Sequence, residues 1–177
     1  MTASPPLDTT SQQLAAIEQM HLRFTANDIQ YWLFGGWAVD FHAGRVTRAH
    51  ADIDLAAWYS DIDRIAALLE ADQWRRTPEG GDGVVTYQRD VVHAEIAVLV
   101  RDDSGIIYTP VEGGRGHWPH QAFGDEIAEL EGFHARVIEL AALIEEKSAG
   151  YGDAQAQAKD RIDIAVLAGS DAQHSRE

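Results

Sequence analysis

The composition of this 177-residue chain limits the classes of function it can serve. It carries 29 acidic side chains against 14 lysines and arginines, which gives a formal net charge of −15. A protein that binds nucleic acids must neutralise phosphates with a basic surface, so this balance disfavours nucleic-acid partners. The chain has no cysteine, which excludes disulfides, thiolate metal sites and a cysteine nucleophile.

Length and hydropathy predict a single globular domain. With 45% hydrophobic residues, 177 residues suffice to bury a core. The N-terminal stretch MTASPPLDTTSQQ lacks the basic start and apolar segment of a signal peptide, and no apolar run is long enough to cross a membrane. We therefore expect a cytoplasmic protein with a flexible tail at residues 1–10, one domain at residues 11–168 and a second flexible tail at residues 169–177.

Hydrophobic periodicity and turn residues define the predicted elements of the first 100 residues. In chain order they are a helix capped by Ser11 that ends near Asn27, a strand at 31–34, a helix from 37, a strand at 51–57, a helix from Ser60 to near Asp72, a short strand at 74–77, and a hairpin of strands at 84–89 and 91–100.

The remaining residues predict an irregular loop, two short strands and two helices. An edge strand at 106–109 leads into a long loop at 110–124, and two strand-like runs follow at 125–138, divided by Glu131-Gly132. The C-terminal helices begin at about residue 139. The first ends near Lys147, and the second, at 153–168, is predicted to place Ala158, Ile162, Ala165 and Val166 on its core face.

Two carboxylates in the predicted strand at 51–57 form a candidate metal site. Side chains alternate along a strand, so Asp52 and Asp54 share one face while Ile53 and Leu55 point to the other. Two unpaired carboxylates repel each other, and a hard divalent cation such as Mg²⁺ relieves that repulsion. The alternative for a lone D-x-D is a solvated strand edge.

A pair of glycines before this strand forms a candidate phosphate site. Gly35-Gly36 ends the apolar run at 31–34 and precedes a helix. Backbone N–H groups of residues without Cβ can approach a phosphate closely, and a helix N-terminus attracts an anion. A Gly-Gly pair alone is also common in simple turns.

A third carboxylate, Glu95, lies in the apolar second strand of the predicted hairpin. A carboxylate in such a strand is costly to bury without a partner, so we expect it to have one. The alternative is a residue at the rim of a half-exposed sheet.

The motifs GGWAVD and GRVTRAHADIDL, at residues 35–40 and 44–55, resemble the minimal nucleotidyltransferases of the DNA polymerase β-like superfamily. They are most similar to the antibiotic-modifying branch, which comprises aminoglycoside 2''-nucleotidyltransferase and the lincosamide nucleotidyltransferases. Glu95, the EGGRGHW stretch at 112–118 and the K-D-x-x-D-I stretch at 159–164 extend the resemblance. It implies an α+β fold with a polymerase β-like palm, in which helices flank a mixed β-sheet and a short helical part forms the C-terminus.

The resemblance also implies an activity: transfer of a nucleoside monophosphate, AMP from ATP, to an antibiotic hydroxyl with release of pyrophosphate. It further implies that Asp52 and Asp54 hold two Mg²⁺ ions, with Glu95 as metal ligand or general base. The expected nucleotide-binding residues are Gly35, Gly36, Arg48, His50, Lys147 and Lys159, with His50 alternatively orienting Asp52. The expected acceptor-binding residues are Trp37, Asp40, Tyr108, His117 and Trp118, with Trp118 alternatively pinning its loop to the core.

Three functions remain open at this point. The first is modification of a cationic or sugar-containing antibiotic, which the acidic balance favours because it attracts positive charge. The second is a toxin-type nucleotidyltransferase that acts on protein or tRNA. The third is a nucleotide-binding protein without transfer activity. The sequence does not distinguish an aminoglycoside from a lincosamide, and a homodimer that completes the acceptor cleft is compatible with so small a member.

Overall fold

The computed structural model describes residues 8–174, with side chains for residues 8–170. In chain order the elements are α1 Thr9–Ala26, β1 Tyr31–Phe34, α2 Gly35–Ala43, β2 Ile53–Trp58, a 3-10 turn Tyr59–Asp61, α3 Ile62–Ala71, β3 Arg75–Thr77, β4 Val84–Arg89, β5 Val92–Arg101, β6 Ile107–Val111, β7 Gly114–His117, β8 Ile127–Leu130, β9 Phe133–Arg136, α4 Leu140–Ser148 and α5 Ala154–His174.

A mixed sheet with the strand order β1-β2-β5-β4-β3 carries the fold. β2 and β5 run parallel, whereas β1 pairs antiparallel with β2, and β4 pairs antiparallel with both β5 and β3. The β5 end continues into β6 and β7, and β8 and β9 form a separate hairpin. The predicted α+β class with a mixed sheet and flanking helices is confirmed.

The core lies between this sheet and the helices. β2 and β5 are central strands, so Ile53, Leu55 and Ile96 are fully buried, as the near-continuous apolar runs of parallel strands require. Tyr31 and Trp37 are buried on the neighbouring β1 and α2. Among the described residues, no helix is both long and apolar enough to span a bilayer.

The first helix begins earlier than predicted. Asp8, not Ser11, is its N-cap, and the Asp8 carboxylate accepts a hydrogen bond from the Thr10 N–H at 3.2 Å. Residues 9 and 10 of the predicted tail are therefore helical, and residues 1–7 lie outside the described part of the chain. The helix predicted to begin at Ser60 begins later, because Ser60 lies in the 3-10 turn and α3 starts at Ile62.

The loop predicted at residues 110–124 is partly regular. Residues 107–111 and 114–117 pair as the antiparallel strands β6 and β7, with a tight turn at 112–113. Gly113 has φ +73°, which a residue with Cβ rarely adopts. The many glycines of this segment predicted an irregular loop, whereas in the structure Gly113 forms the turn of a hairpin.

The core face predicted for α5 is partly wrong: Val166 packs against the core and Ala158 is half-buried, but Ile162 and Ala165 are exposed. Ile162 is 56% exposed and Ala165 is also exposed, whereas Asp163 and Leu167 are completely buried. The fully buried positions are thus Asp163 and Leu167, each one residue after an apolar position of the predicted face, and one of them is a carboxylate. The helix also continues to His174, beyond the predicted end at Ala168, and residues 175–177 of the predicted tail are outside the described range.

Candidate active site

Three carboxylates converge at one end of the two central strands. Asp54 on β2 is the direct register partner of Glu95 on the parallel β5, and Asp52 precedes β2 by one residue. One carboxylate oxygen from each of the three lies within 4.8 Å of those from the other two. The strands thus bring together the three acids that the sequence singled out.

These carboxylates carry an electrostatic conflict. Burial, followed by the charges of Asp52 and Glu95, raises the pKa of Asp54 well above its usual value. Burial and Asp52 also raise the pKa of Glu95. A divalent cation held between the three groups neutralises that repulsion, and an all-oxygen donor set suits Mg²⁺. The residues therefore fit a metal of this class.

The diglycine turn faces the same carboxylates. β1 ends at Phe34, opposite Asp54, and Gly35 follows with φ +65°. A Cβ on Gly35 would lie 2.3 Å from Asp54 Oδ2, and a Cβ on Gly36 would lie 2.6 Å from Arg48 Nη2. Both positions therefore need glycine, because a carboxylate and a guanidinium pack directly against the backbone.

A cavity of about 420 Å³ opens between this turn and the C-terminal helices. Residues of the turn, the acidic pair and α4 and α5 form its wall: Phe34, Gly35, Gly36, Arg48, His50, Ala51, Asp52, Asp54, Glu146, Lys147, Asp153, Gln155, Ala156, Lys159 and Asp160. Asp52 and Asp54 line it from the β2 end, and α4 and α5 contribute both carboxylates and lysines, while Arg48 adds a third cationic side chain. The cavity thus brings together a carboxylate cluster that could hold a cation and cationic side chains that could bind an anion.

Acidic partners hold two of these cations. Arg48 forms a bidentate pair with Asp163, with Nε and Nη2 at 3.1 and 3.0 Å from the two carboxylate oxygens. Lys147 Nζ lies 3.0 Å from both Asp160 and Asp163. Burial lowers the pKa of Lys147, but its hydrogen bonds to Asp160 and Asp163 outweigh that effect and leave the pKa raised. Lys147 therefore remains charged.

Sequence reasoning missed Glu146 and the two aspartates. Glu146 lines the cavity, burial raises its pKa, and its Oε2 is buried without a hydrogen-bond partner among the described residues. Asp160 and Asp163 belong to the K-D-x-x-D stretch, of which only Lys159 was predicted to bind the nucleotide. The two aspartates are three residues apart, which places both on one face of the helix beside a lysine. This spacing was the sequence feature that could have indicated their place in the site.

The positions of Trp37 and Asp40 do not fit acceptor contacts. Both side chains are buried, with relative exposures of 1% and 0%. Asp40 instead accepts hydrogen bonds from His50 Nε2 at 2.6 Å and Thr47 Oγ1 at 2.5 Å. Trp37 packs on the His50 ring, with centroids 4.5 Å apart. His50 therefore pairs with Asp40 and not with Asp52, the alternative considered from the sequence.

Tyr108, His117 and Trp118 lie beside the cavity and not in its wall. Tyr108 and His117 face each other across β6 and β7. Trp118 contacts Phe34 edge-on at 5.0 Å, and its Nε1 donates to Thr109 Oγ1 at 2.9 Å. Trp118 thus pins this segment to the sheet, and it contacts Phe34, which lines the cavity.

Comparisons with known proteins agree with this geometry. The family model of aminoglycoside-2''-adenylyltransferase matches residues 16–167. A 2''-aminoglycoside nucleotidyltransferase from Klebsiella pneumoniae is 45% identical over 73 residues, which cover 41% of this chain and 40% of the relative. One from Escherichia coli is 43% identical over 64 residues, 36% of this chain and 35% of the relative. The matched stretches therefore span about two fifths or less of these relatives.

Solved structures extend the similarity of fold to nearly the whole chain. ANT(2'')-Ia in complex with adenylyl-2''-tobramycin superposes with a TM-score of 0.71 at 19% identity, over 90% of this chain and 89% of that one. The lincosamide adenylyltransferase LnuA, with lincomycin bound, gives a TM-score of 0.66 at 22% identity, over 88% and 94%. Since the family model covers most of the sequence, the chain belongs to the aminoglycoside-2''-adenylyltransferase family.

Proposed function

We propose that this protein transfers AMP from ATP to a hydroxyl group of an aminoglycoside, releasing pyrophosphate. The observation that carries the proposal is the convergence of Asp52, Asp54 and Glu95 opposite the Gly35 turn. Family membership supports the reaction class, and the names of the relatives support an aminoglycoside acceptor modified at the 2''-hydroxyl.

Different residues of the cavity would bind the metal ions and the phosphates of the nucleotide. Asp52 and Asp54 would hold two Mg²⁺ ions, which leaves Glu95 free to act on the acceptor. When bound, such ions supply charge neutralisation at the attacking and leaving oxygens of an in-line displacement. The backbone N–H groups of Gly35 and Gly36 would bind the β- and γ-phosphates, and such positioning and electrostatic stabilisation supply most of the acceleration in phosphoryl transfer.

Glu95 is proposed as the general base. It accepts the proton of the acceptor hydroxyl as that oxygen attacks the α-phosphorus and the bond to pyrophosphate breaks. Burial and the nearby Asp52 raise the pKa of Glu95, which strengthens it as a proton acceptor. Its side chain is one methylene longer than the aspartate usual in the superfamily, and it retains the register position beside Asp54.

The net charge of −15 supports a cationic acceptor. Aminoglycosides carry several amino groups, so a negative field raises their local concentration. LnuA shares the fold at 22% identity, and a lincosamide therefore belongs in any acceptor panel, although that likeness concerns the fold alone.

The test is incubation of the full chain with MgATP and a panel of aminoglycosides and lincosamides, followed by mass spectrometry. We expect a gain of one AMP on aminoglycosides and formation of pyrophosphate, and neither product without the divalent cation. A gain on lincosamides alone would contradict the proposed acceptor. No gain on any drug would overturn the proposal and favour a protein or tRNA target.

A further inference from the structure

Asp163 lies inside the protein and binds two cations from different elements. Its side chain is 1% exposed and accepts hydrogen bonds from Arg48 Nε and Nη2 and from Lys147 Nζ, all at 3.0 to 3.1 Å. Arg48 lies in the segment between α2 and β2, Lys147 in the last turn of α4, and Asp163 on α5. One carboxylate therefore joins three parts of the chain at the wall of the cavity.

The third nitrogen of the Arg48 guanidinium, Nη1, is held by residues other than Asp163. Arg48 Nη1 donates to His50 Nδ1 at 3.1 Å and to the Ala49 carbonyl at 3.2 Å. Arginine can only donate, so His50 Nδ1 is the acceptor and His50 Nε2 carries the proton that it gives to Asp40. Asp40 is itself held by Thr47. The guanidinium is thus oriented by partners on every side except one.

Nη2 of Arg48, the nitrogen with a remaining N–H group, lies next to the turn at Gly35-Gly36. Arg48 Nη2 lies 2.6 Å from the position a Cβ on Gly36 would take. Of the five N–H groups of an arginine, four have the partners named above, which leaves one on Nη2 without a partner among the described residues. Lys147 similarly keeps one of its three N–H groups after binding Asp160 and Asp163. Each cation retains one N–H beside the cavity.

We propose that Asp163 is a positioning residue that holds Arg48 and Lys147 as a preformed pair of donors for the β- and γ-phosphates of the nucleotide. This inference rests on the proposed function. Asp163 is too buried to touch the nucleotide and acts only through the two cations. Because Asp160 and Asp163 balance the charges of Arg48 and Lys147, the network supplies oriented donors and little net charge. Its effect is therefore preorganisation, which lowers the cost of ordering long side chains on binding.

Titration calorimetry with Mg²⁺ and inorganic tripolyphosphate tests the proposal, with AMP as a probe that lacks the β- and γ-phosphates. We expect Asp163→Asn, in the full chain, to weaken the binding of tripolyphosphate at least tenfold and to change the affinity for AMP less than twofold. In assays the KM for ATP should rise while the KM for the acceptor stays constant. The matched control is Asp160→Asn, which removes one bond to Lys147, leaves Arg48 untouched and should have a smaller effect.

A double-mutant cycle separates positioning from general weakening. If Asp163 acts largely through Arg48, adding Asp163→Asn to Arg48→Ala should change tripolyphosphate affinity less than Asp163→Asn does in the native background. Full additivity would overturn the proposal. Arg48→Lys keeps a cation beside Asp163 but cannot bind Asp163 and His50 together. Arg48→Lys should therefore also weaken the binding of tripolyphosphate. This variant tests the proposal even if Asp163→Asn does not fold.

The outcomes distinguish this inference from the proposed function. If the wild-type protein binds tripolyphosphate and Asp163→Asn binds it equally well, only the role of Asp163 is refuted. If the wild type binds MgATP but modifies no drug, the acceptor half of the proposed function fails while the phosphate site stands. If the wild type binds neither MgATP nor tripolyphosphate, both fail.

Discussion

At the residue scale, Asp54 is held in an unfavourable state when no cation is present. Burial and two neighbouring carboxylates raise its pKa, so the folded protein binds the Asp54 proton more tightly than the unfolded chain does. The stability that this proton contributes is therefore complete below the usual pKa of aspartate and is lost as pH rises through the raised pKa. At neutral and higher pH the charged carboxylate destabilises the metal-free protein.

Asp54→Asn should consequently abolish transfer and stabilise the metal-free fold. We expect urea unfolding in a chelator at pH 8 to give a higher unfolding free energy for the variant than for the wild type. The difference should shrink as pH falls towards the usual pKa of aspartate. Adding Mg²⁺ should stabilise the wild type more than the variant. Retained transfer by Asp54→Asn would remove this residue from the metal site.

Gly35 allows a prediction with an internal control. Gly35→Ala places a Cβ 2.3 Å from Asp54 Oδ2 in a residue with φ +65°, whereas Gly44 has φ +68° and open space around it. Both alanine variants should lose about 1 kcal/mol of stability from the left-handed backbone. Only Gly35→Ala should also lose at least about tenfold in kcat/KM, since it displaces a carboxylate that positions the reaction. Equal activity in the two variants would contradict the close packing of Gly35 on Asp54.

Glu95 is expected to affect rate more than affinity. A general base contributes about 10²- to 10⁴-fold, so Glu95→Gln should lower kcat by at least about 100-fold. The Kd for MgATP, measured by direct titration, should change far less. Glu129→Gln is a suitable control because Glu129 is exposed and distant in the β8–β9 hairpin. Unchanged turnover in Glu95→Gln would show that this carboxylate is a bystander.

At the element scale, the strands could be predicted better than the last helix. The apolar runs of β1, β2 and β5 identified the strands, and alternation placed Asp54 and Glu95 on faces that the register then brought together. The face of α5 could not be predicted in this way, because periodicity treats an aspartate as exposed. Asp163 is buried because its charge is balanced by Arg48, 115 residues earlier in the chain. Such a pairing is invisible to local patterns.

The corrected face of α5 makes a direct prediction. Leu167 is fully buried, so Leu167→Ala should cost about 2–5 kcal/mol. Ile162 is 56% exposed, so Ile162→Ala should stay within about 0.5 kcal/mol of the wild type. Urea unfolding of both variants measures the difference. A larger loss for Ile162→Ala would restore the face predicted from the sequence.

At the scale of the whole molecule, the charge of −15 should act in opposite directions on the two proposed substrates. A cationic acceptor is attracted by the negative field and an anionic nucleotide is repelled by it. Arg48 and Lys147 line the cavity, and since Asp160 and Asp163 balance their charges, we expect them to counter this repulsion through oriented hydrogen bonds to the phosphates. The proposal therefore combines an acidic surface, which disfavours polyanionic partners, with a small site that would bind one polyphosphate.

Ionic strength should separate these two effects. The Debye length is about 10 Å at 0.1 M salt and about 3 Å at 1 M, so added salt screens the distant charges and leaves the contacts inside the cavity largely intact. We expect the KM for an aminoglycoside to rise several-fold as KCl is added, while the KM for MgATP stays constant or falls. An acceptor with fewer amino groups should show a weaker dependence. If the KM for the aminoglycoside does not change with salt, acceptor capture depends on local contacts, and the overall charge of the protein has no part in it.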